Sequence, residues 1–139
     1  MRFASRRDAG GELTQRICAY ALPIACYPGQ EQRYEGKVRN LSLSMAAIDG
    51  ALVMPGEVLS FWRLVGRPTR AAGYKEAAAL KAGRLTSEVG GSICLASTVL
   101  YNVGLLAGMG ILERYCHSVD TYGDARYFEL GRDAAVEYA

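Results

Sequence analysis

Apolar residues recur at helical spacing in two parts of the chain. From Val38 onward they follow the three- and four-residue spacing of a helix, which predicts a helix that ends near Gly50. Residues 93–107 are apolar almost all round, a pattern typical of a buried helix. Ser92 directly precedes this second helix and is a good N-cap, so we expect the helix to begin there.

Shorter apolar runs at residues 58–64, 111–117 and 134–138 predict strands. Turn residues at 55–57 and around Gly83 separate these elements. The alanine-rich stretch 77–80 fits a strand as well as a helix. We therefore predict a single α+β domain. In it, a buried central helix packs on a mostly antiparallel sheet, with a cysteine at the N-terminus of that helix.

The chain before residue 38 shows no regular period. We expect an irregular N-terminal segment, 1–37, followed by the domain itself, 38–139. The apolar run 17–27 follows several arginines, as the core of a signal peptide does. Pro23 lies inside that run, however, and acidic residues precede it, which favours a short buried or surface-docked segment. On this interpretation the sequence carries no convincing export signal.

Composition narrows the classes of function. The 16 basic and 14 acidic residues among 139 give a net charge of +2, which is too small for a concentrated nucleic-acid-binding face. No run reaches the roughly 20 apolar residues that cross a bilayer, so no transmembrane segment is expected. None of the four cysteines forms a C-x-x-C pair, so we expect free thiols, no metal site and no cofactor. A metal or redox protein, with a Cys18–Cys26 disulfide as one sign of it, is a weaker alternative.

Cys94 is the candidate nucleophile, because it falls in the first turn of the predicted buried helix. Unpaired N–H groups and the positive end of the helix dipole favour a thiolate there. Gly90 and Gly91 let the backbone approach a substrate closely, and N–H groups at the helix start can hold an oxyanion. The plain alternative is a small core residue, which is the commoner role of a cysteine in an apolar helix.

His117, the only histidine, is the candidate base. A helix over 94–107 rises about 20 Å, and an extended strand over 110–117 returns about 23 Å. The chain therefore brings His117 back to the helix start. If the last strand pairs antiparallel with this one, Asp133 lies beside His117 and orients its ring. The plain alternatives are a hydrogen-bonding histidine at a strand end and an aspartate that caps a turn, while Tyr101 either faces the site or packs in the core.

Several motifs occur in an order that resembles the VanW family, over about residues 40–138. They are Pro55-Gly56-Glu57, Ser60-Phe61-Trp62 and Val65-Gly66, then Gly90-Gly91-Ser92-Ile93-Cys94-Leu95-Ala96-Ser97, then Glu113-Arg114, His117-Ser118 and Gly131-Arg132-Asp133-Ala134. The family is named for an accessory protein of B-type vancomycin resistance. The resemblance implies a bacterial protein of the cell envelope.

The resemblance also implies a reaction. The motif cysteine of some VanW domains is understood to be the nucleophile of an L,D-transpeptidase. By this resemblance Cys94 attacks a carbonyl of a peptidoglycan stem peptide, and we assign proton transfer to His117 and ring orientation to Asp133. The expected substrate-binding or oxyanion residues are Gly90, Gly91, Ser92 and Tyr101.

Two departures from the family pattern keep a second function open. Ser92 stands where the family has a third glycine, and Leu95 stands where it has a glutamine. The chain also ends where members often continue with another strand pair, so we expect a shortened domain. The second function is a non-catalytic accessory or binding module of glycopeptide resistance or envelope maintenance. An envelope location follows from the resemblance, whereas a purely structural run 17–27 would leave the protein in the cytoplasm.

Overall fold

A computed structural model describes residues 1–8, 10–11, 13–26, 28–117 and 131–136. This part of the chain contains three helices, α1 (Glu31–Ile48), α2 (Phe61–Val65) and α3 (Cys94–Leu106). Its strands are β1 (Arg2–Phe3), β2 (Arg6–Arg7), β3 (Ala51–Leu52), β4 (Glu57–Val58), β5 (Glu76–Lys81) and β6 (Arg84–Val89). The predicted α+β class is confirmed. No helix within the described ranges has the length and apolar character needed to cross a membrane.

The described strands form three two-stranded ladders. β1 pairs parallel with β4, β2 pairs antiparallel with β3, and β5 pairs antiparallel with β6. The β5–β6 hairpin turns at Ala82 and Gly83, whose φ angles of 48° and 72° are left-handed. Two such residues are typical of the two-residue turn that matches the twist of a hairpin. The stretch 77–80, which the sequence left between strand and helix, lies in β5.

Helix α1 begins at Glu31, earlier than the apolar pattern predicts, and ends just before Gly50, whose φ is 71°. The helix lies directly on β5 at Gly36, where a Cβ would come within 2.3 Å of the Glu76 carbonyl oxygen. Only glycine allows this approach without moving the strand. A small apolar cluster joins α1 to α3 and consists of Leu41, Leu95 and Ala96, with Leu22 and Phe61 packed against it.

Polar side chains fill much of the remaining interior. Asn40 is fully buried, and its amide donates to the carbonyl oxygens of Lys75 (2.9 Å) and Gly91 (3.0 Å). The Asn40 carbonyl oxygen accepts from the Lys75 N–H at 2.8 Å. A buried amide needs such partners, because leaving it unpaired costs about 1–3 kcal/mol. Asn40 therefore ties α1 to the segment before β5 and to the turn before α3.

Two predicted strands are replaced by other structure. Residues 58–64 divide between β4 and α2, because Ser60 is extended and the helix begins at Phe61. A short apolar run fits either structure, so the sequence pattern alone did not separate them. Residues 111–117 form no regular strand, and their backbone pairs with the C-terminal segment in one antiparallel bridge, between Tyr115 and Ala135. The predicted last strand, 134–138, extends beyond the described residues.

Candidate active site

The turn at residues 90–93 sets the start of α3 against the β5–β6 hairpin. A Cβ on Gly91 would lie 2.0 Å from the Ala77 carbonyl oxygen, and one on Gly90 would lie 2.4 Å from the Pro68 Cβ. Both contacts are too close for any side chain, so both glycines are required by packing. The two glycines therefore allow this turn to approach β5 and Pro68 closely. Their contact with a substrate stays a prediction.

Ser92 does not cap α3 as the sequence predicts. Its φ is 69°, in the left-handed region, and its hydroxyl donates to the Ala78 carbonyl oxygen at 3.0 Å. Ile93 occupies the capping position, and it offers no side-chain cap. The left-handed conformation costs a residue with a Cβ about 1–2 kcal/mol, whereas glycine adopts it freely. The hydroxyl of Ser92 therefore stabilises the hairpin contact rather than the helix start.

Cys94 is the first residue of α3, at the positive end of the helix dipole. Its side chain has the largest effect on the pKa of His117, which places the Cys94 sulfur beside that imidazole. The Cys94 sulfur also lies 3.8 Å from the Val136 carbonyl oxygen. The start of α3 and the C-terminal segment therefore hold the thiol between them.

Asp133 holds His117 through two contacts with one carboxylate oxygen. The His117 Nδ1 and Asp133 Oδ2 atoms are 2.7 Å apart, and the backbone N–H of His117 donates to the same oxygen at 2.7 Å. An ionised carboxylate only accepts hydrogen bonds, so Nδ1 carries the proton. This leaves Nε2 as the ring nitrogen for the Cys94 sulfur. The structure thus brings Cys94, His117 and Asp133 together, in that order.

Arg114 fixes the same carboxylate from its other oxygen, a role that sequence reasoning missed. Its guanidinium lies 3.1 Å from Asp133 Oδ1, and its Nε donates to the Asp133 carbonyl oxygen at 2.8 Å. The sequence marked Arg114 only as part of the Glu113-Arg114 motif of the family resemblance. The Arg114 guanidinium also lies 5.4 Å from the ring centre of Tyr101. Tyr101 therefore contacts the arginine that holds Asp133, and its contact with a substrate stays a prediction.

The protonation of the histidine and the aspartate follows from these contacts. The hydrogen bond with Cys94 is the largest effect on His117 and, together with the Asp133 carboxylate, raises the pKa of His117 to about 8 against the opposing effect of burial. Burial alone would raise the pKa of Asp133. The hydrogen bonds from His117 and the charges of His117 and Arg114 outweigh it and hold that pKa below its usual range. At pH 7 the site therefore holds an imidazolium beside a carboxylate.

A row of buried polar side chains on α3 holds the segment that carries Asp133. The Thr98 hydroxyl accepts from the Ala134 N–H at 3.0 Å, and Ser97 donates to the Ala134 carbonyl oxygen. Asn102 donates to the Arg132 carbonyl oxygen at 2.8 Å. Positions 94, 98 and 102 share one helix face, because they are four residues apart. That spacing of polar residues within an apolar helix is the sequence signal for these contacts.

A cavity of about 170 Å³ opens at the Cys94–His117 pair. Its walls come from α1, from the β5–β6 hairpin and from the segment at residues 25–26, with Ser92 and Leu95 beside the thiol. Clefts for drug-sized ligands usually measure about 300–1,000 Å³, so this cavity fits part of a peptide rather than a whole one. A cysteine sulfur, an imidazole ring and a carboxylate in series beside a small cleft can support nucleophilic attack on a carbonyl.

These features define an α+β domain with a helix-borne cysteine and a histidine–aspartate pair at the edge of a cleft. Residues 36–139 match the family model described as VanW like protein. The chain therefore belongs to the VanW family, as the motifs in its sequence predict.

Two curated relatives place the chain within that family. It is 40% identical over 104 residues to the uncharacterized protein YoaR of Bacillus subtilis (strain 168), a match that covers 75% of this chain and 33% of that protein. It is 36% identical over 131 residues to the vancomycin B-type resistance protein VanW of Enterococcus faecalis (strain ATCC 700802 / V583), covering 91% of this chain and 48% of that protein. The chain thus spans a third to about half of the length of these relatives. No solved structure matches it.

Proposed function

We propose that the protein is a cell-wall-associated cysteine enzyme that performs acyl transfer on peptidoglycan stem peptides, as an L,D-transpeptidase does. The observation that carries the proposal is that Cys94 and His117 line one cleft and that Asp133 hydrogen-bonds with the His117 ring. Membership of a family with a relative named for vancomycin B-type resistance agrees with a substrate in the bacterial cell wall.

In the proposed reaction the Cys94 thiolate attacks a peptide carbonyl carbon. A C–S bond forms, the C–N bond breaks, and the His117 imidazolium gives its proton to the leaving amine. An amine of a second stem peptide then attacks the thioester, His117 takes its proton, and the C–S bond breaks to restore the thiolate. Water in place of the amine gives hydrolysis by the same steps.

Asp133 and Arg114 keep the histidine ready for both steps. The carboxylate fixes the ring orientation through Nδ1, so that Nε2 stays directed to the reacting atoms. Leu95 is buried in the core cluster and has no donor in its side chain. The N–H groups of Leu95 and Ala96 already donate to the carbonyl oxygens of Ser92 and Ile93. We therefore assign oxyanion stabilisation to the backbone N–H of Cys94 itself.

The test is a mass-spectrometric assay of the 139-residue protein on purified disaccharide-tetrapeptide fragments. The parent is compared with Cys94→Ala and with Cys116→Ala, a matched control. Cys116 is exposed and adjacent to His117 in sequence, and it does not line the cleft. We expect new products from the parent and from Cys116→Ala, and none from Cys94→Ala.

The type of product identifies the reaction. Cross-linked dimers indicate transfer, and trimmed peptides indicate hydrolysis. If no product appears with any variant, and Cys94→Ala binds wall fragments as tightly as the parent, the catalytic proposal is wrong. That result would favour the accessory or binding module.

A further inference from the structure

One face of α1 forms a wall of the cleft that contains Cys94. Arg33, Tyr34 and Lys37 lie on it together with Gln30, the residue before the helix. Positions 33 and 37 are one helical turn apart, so their side chains are neighbours. Two cationic side chains from a single helix face therefore share the cleft with the proposed nucleophile.

The α1 wall gives the cleft a positive charge through Arg33 and Lys37, and none of the described lining residues is an aspartate or a glutamate. The charge of His117 faces the Asp133 carboxylate and the proposed Cys94 thiolate, so it does not add to this wall. The remainder of the lining is largely apolar, with Ala78, Leu80 and Leu85 contributed by the hairpin. Ala78 and Leu80 are half-buried, whereas Leu85 and Arg33 are exposed. The attraction between the two cations on α1 and an anion in the cleft is therefore sensitive to salt.

We propose that Arg33 and Lys37 form an anion subsite that binds a carboxylate of the acyl donor and so orients the donor's carbonyl toward Cys94. The inference rests on the proposed function for the identity of the donor, a peptide that carries a free carboxylate. Arg33 supplies a planar guanidinium that matches a carboxylate, and Lys37 supplies a point charge deeper along the wall. Neither residue acts on the reacting atoms, so both are specificity residues.

The test uses Cys94 itself as the reporter and needs no substrate. The protein is alkylated with iodoacetate, which is an anion, and in parallel with iodoacetamide, which is its neutral counterpart. Mass spectrometry of peptides gives the rate at Cys94 separately from the other three cysteines. The iodoacetate-to-iodoacetamide rate ratio cancels changes in thiol reactivity and reports the attraction of an anion into the cleft.

We expect this ratio to fall about threefold to tenfold in Arg33→Gln and in Lys37→Met, because each removes one positive charge from the cleft that contains the sulfur. Methionine keeps the length of the partly buried Lys37 stem. Arg84→Gln is the matched control, since Arg84 is exposed at the hairpin turn and does not line the cleft. Added salt is expected to lower the ratio in the parent and to change it less in the two cleft variants.

The outcomes separate the subsite from the proposed reaction. An unchanged ratio in both cleft variants overturns the subsite, and so does a Cys94 that neither reagent alkylates, even if stem peptides are turned over. A lowered ratio supports the subsite, even if no stem peptide is a substrate. If Lys37→Met does not fold, Arg33→Gln and the salt dependence of the parent decide the question. A tetrapeptide with a free carboxylate should also bind Cys94→Ala more tightly than its amidated form, and equal binding would contradict the carboxylate assignment.

Discussion

Asn40 is the residue whose loss we expect to cost the domain the most through hydrogen bonds alone. It is 0% exposed, and its side chain makes the three hydrogen bonds that join α1 to Lys75 and Gly91. In Asn40→Ala the Lys75 carbonyl oxygen keeps its bond from the Gly90 N–H at 3.0 Å. The Gly91 carbonyl and the Lys75 N–H lose the only partners that the described residues provide.

The size of the effect follows from those two groups. A buried polar group left unpaired costs about 1–3 kcal/mol, and the partly buried Lys75 N–H belongs at the low end of that range. The sum is about 3 kcal/mol of unfolding free energy. At about 2.1 cal/mol/K of unfolding entropy per residue, this lowers the Tm of a 139-residue chain by about 10 °C.

The measurement is urea unfolding followed by fluorescence of Trp62, the single tryptophan of the chain. Ser42→Ala on the same helix is the control. Ser42 is exposed, and its hydroxyl bonds only to the Val38 carbonyl oxygen of its own helix. We expect that control to change stability by less than about 0.5 kcal/mol. A loss below about 1 kcal/mol in Asn40→Ala would refute the view that this amide joins the three segments.

Three further predictions concern the site. The pKa of His117 is raised from 6.5 to about 8 in the folded state. The stability that protonated His117 adds to the fold is therefore fully present below pH 6.5 and is lost as pH rises through 8. The stability difference between the parent and His117→Gln, measured by urea unfolding, should therefore shrink by about 1 kcal/mol between pH 6 and 9, since solvent screens part of the interaction, and a constant difference would contradict the contacts of this histidine. Gly91→Ala should unfold the domain or cost several kcal/mol because of its 2.0 Å approach to Ala77, whereas Gly110→Ala, with open space around it, should melt within a few degrees of the parent. The free energy of unfolding of Ser92→Gly should be about 1 kcal/mol higher than that of Ser92→Ala. Both variants lose the hydroxyl, and only glycine relieves the strain of the left-handed backbone. Equal stabilities would argue against that strain.

The buried helix and the meeting of His117 with Asp133 could both be anticipated from the sequence. The apolar run predicts a buried helix, and α3 is buried from Leu95 to Thr98, whereas Leu105 and Leu106 at its end are exposed. The distance over which the segment after α3 returns to the start of that helix depends only on the rise per residue, which the covalent geometry of the backbone sets. The predicted strand at 111–117 is wrong, yet its antiparallel register is present in the Tyr115–Ala135 bridge. His117 follows Tyr115 by two residues and Asp133 precedes Ala135 by two, so this antiparallel pairing places His117 opposite Asp133.

The contacts that complete the site depend on groups distant in sequence, and no local pattern specifies them. Asn40 bonds to backbone atoms 35 and 51 residues away, and Arg114 bonds to a residue 19 positions away. Backbone N–H and C=O groups are the same at every residue, so a side chain's sequence neighbours do not reveal which of them it will meet. The left-handed Ser92 and the α1 wall of the cleft have the same origin. Each exists because packing brings one segment against another, and the free energy of that contact outweighs the local preference of the residue.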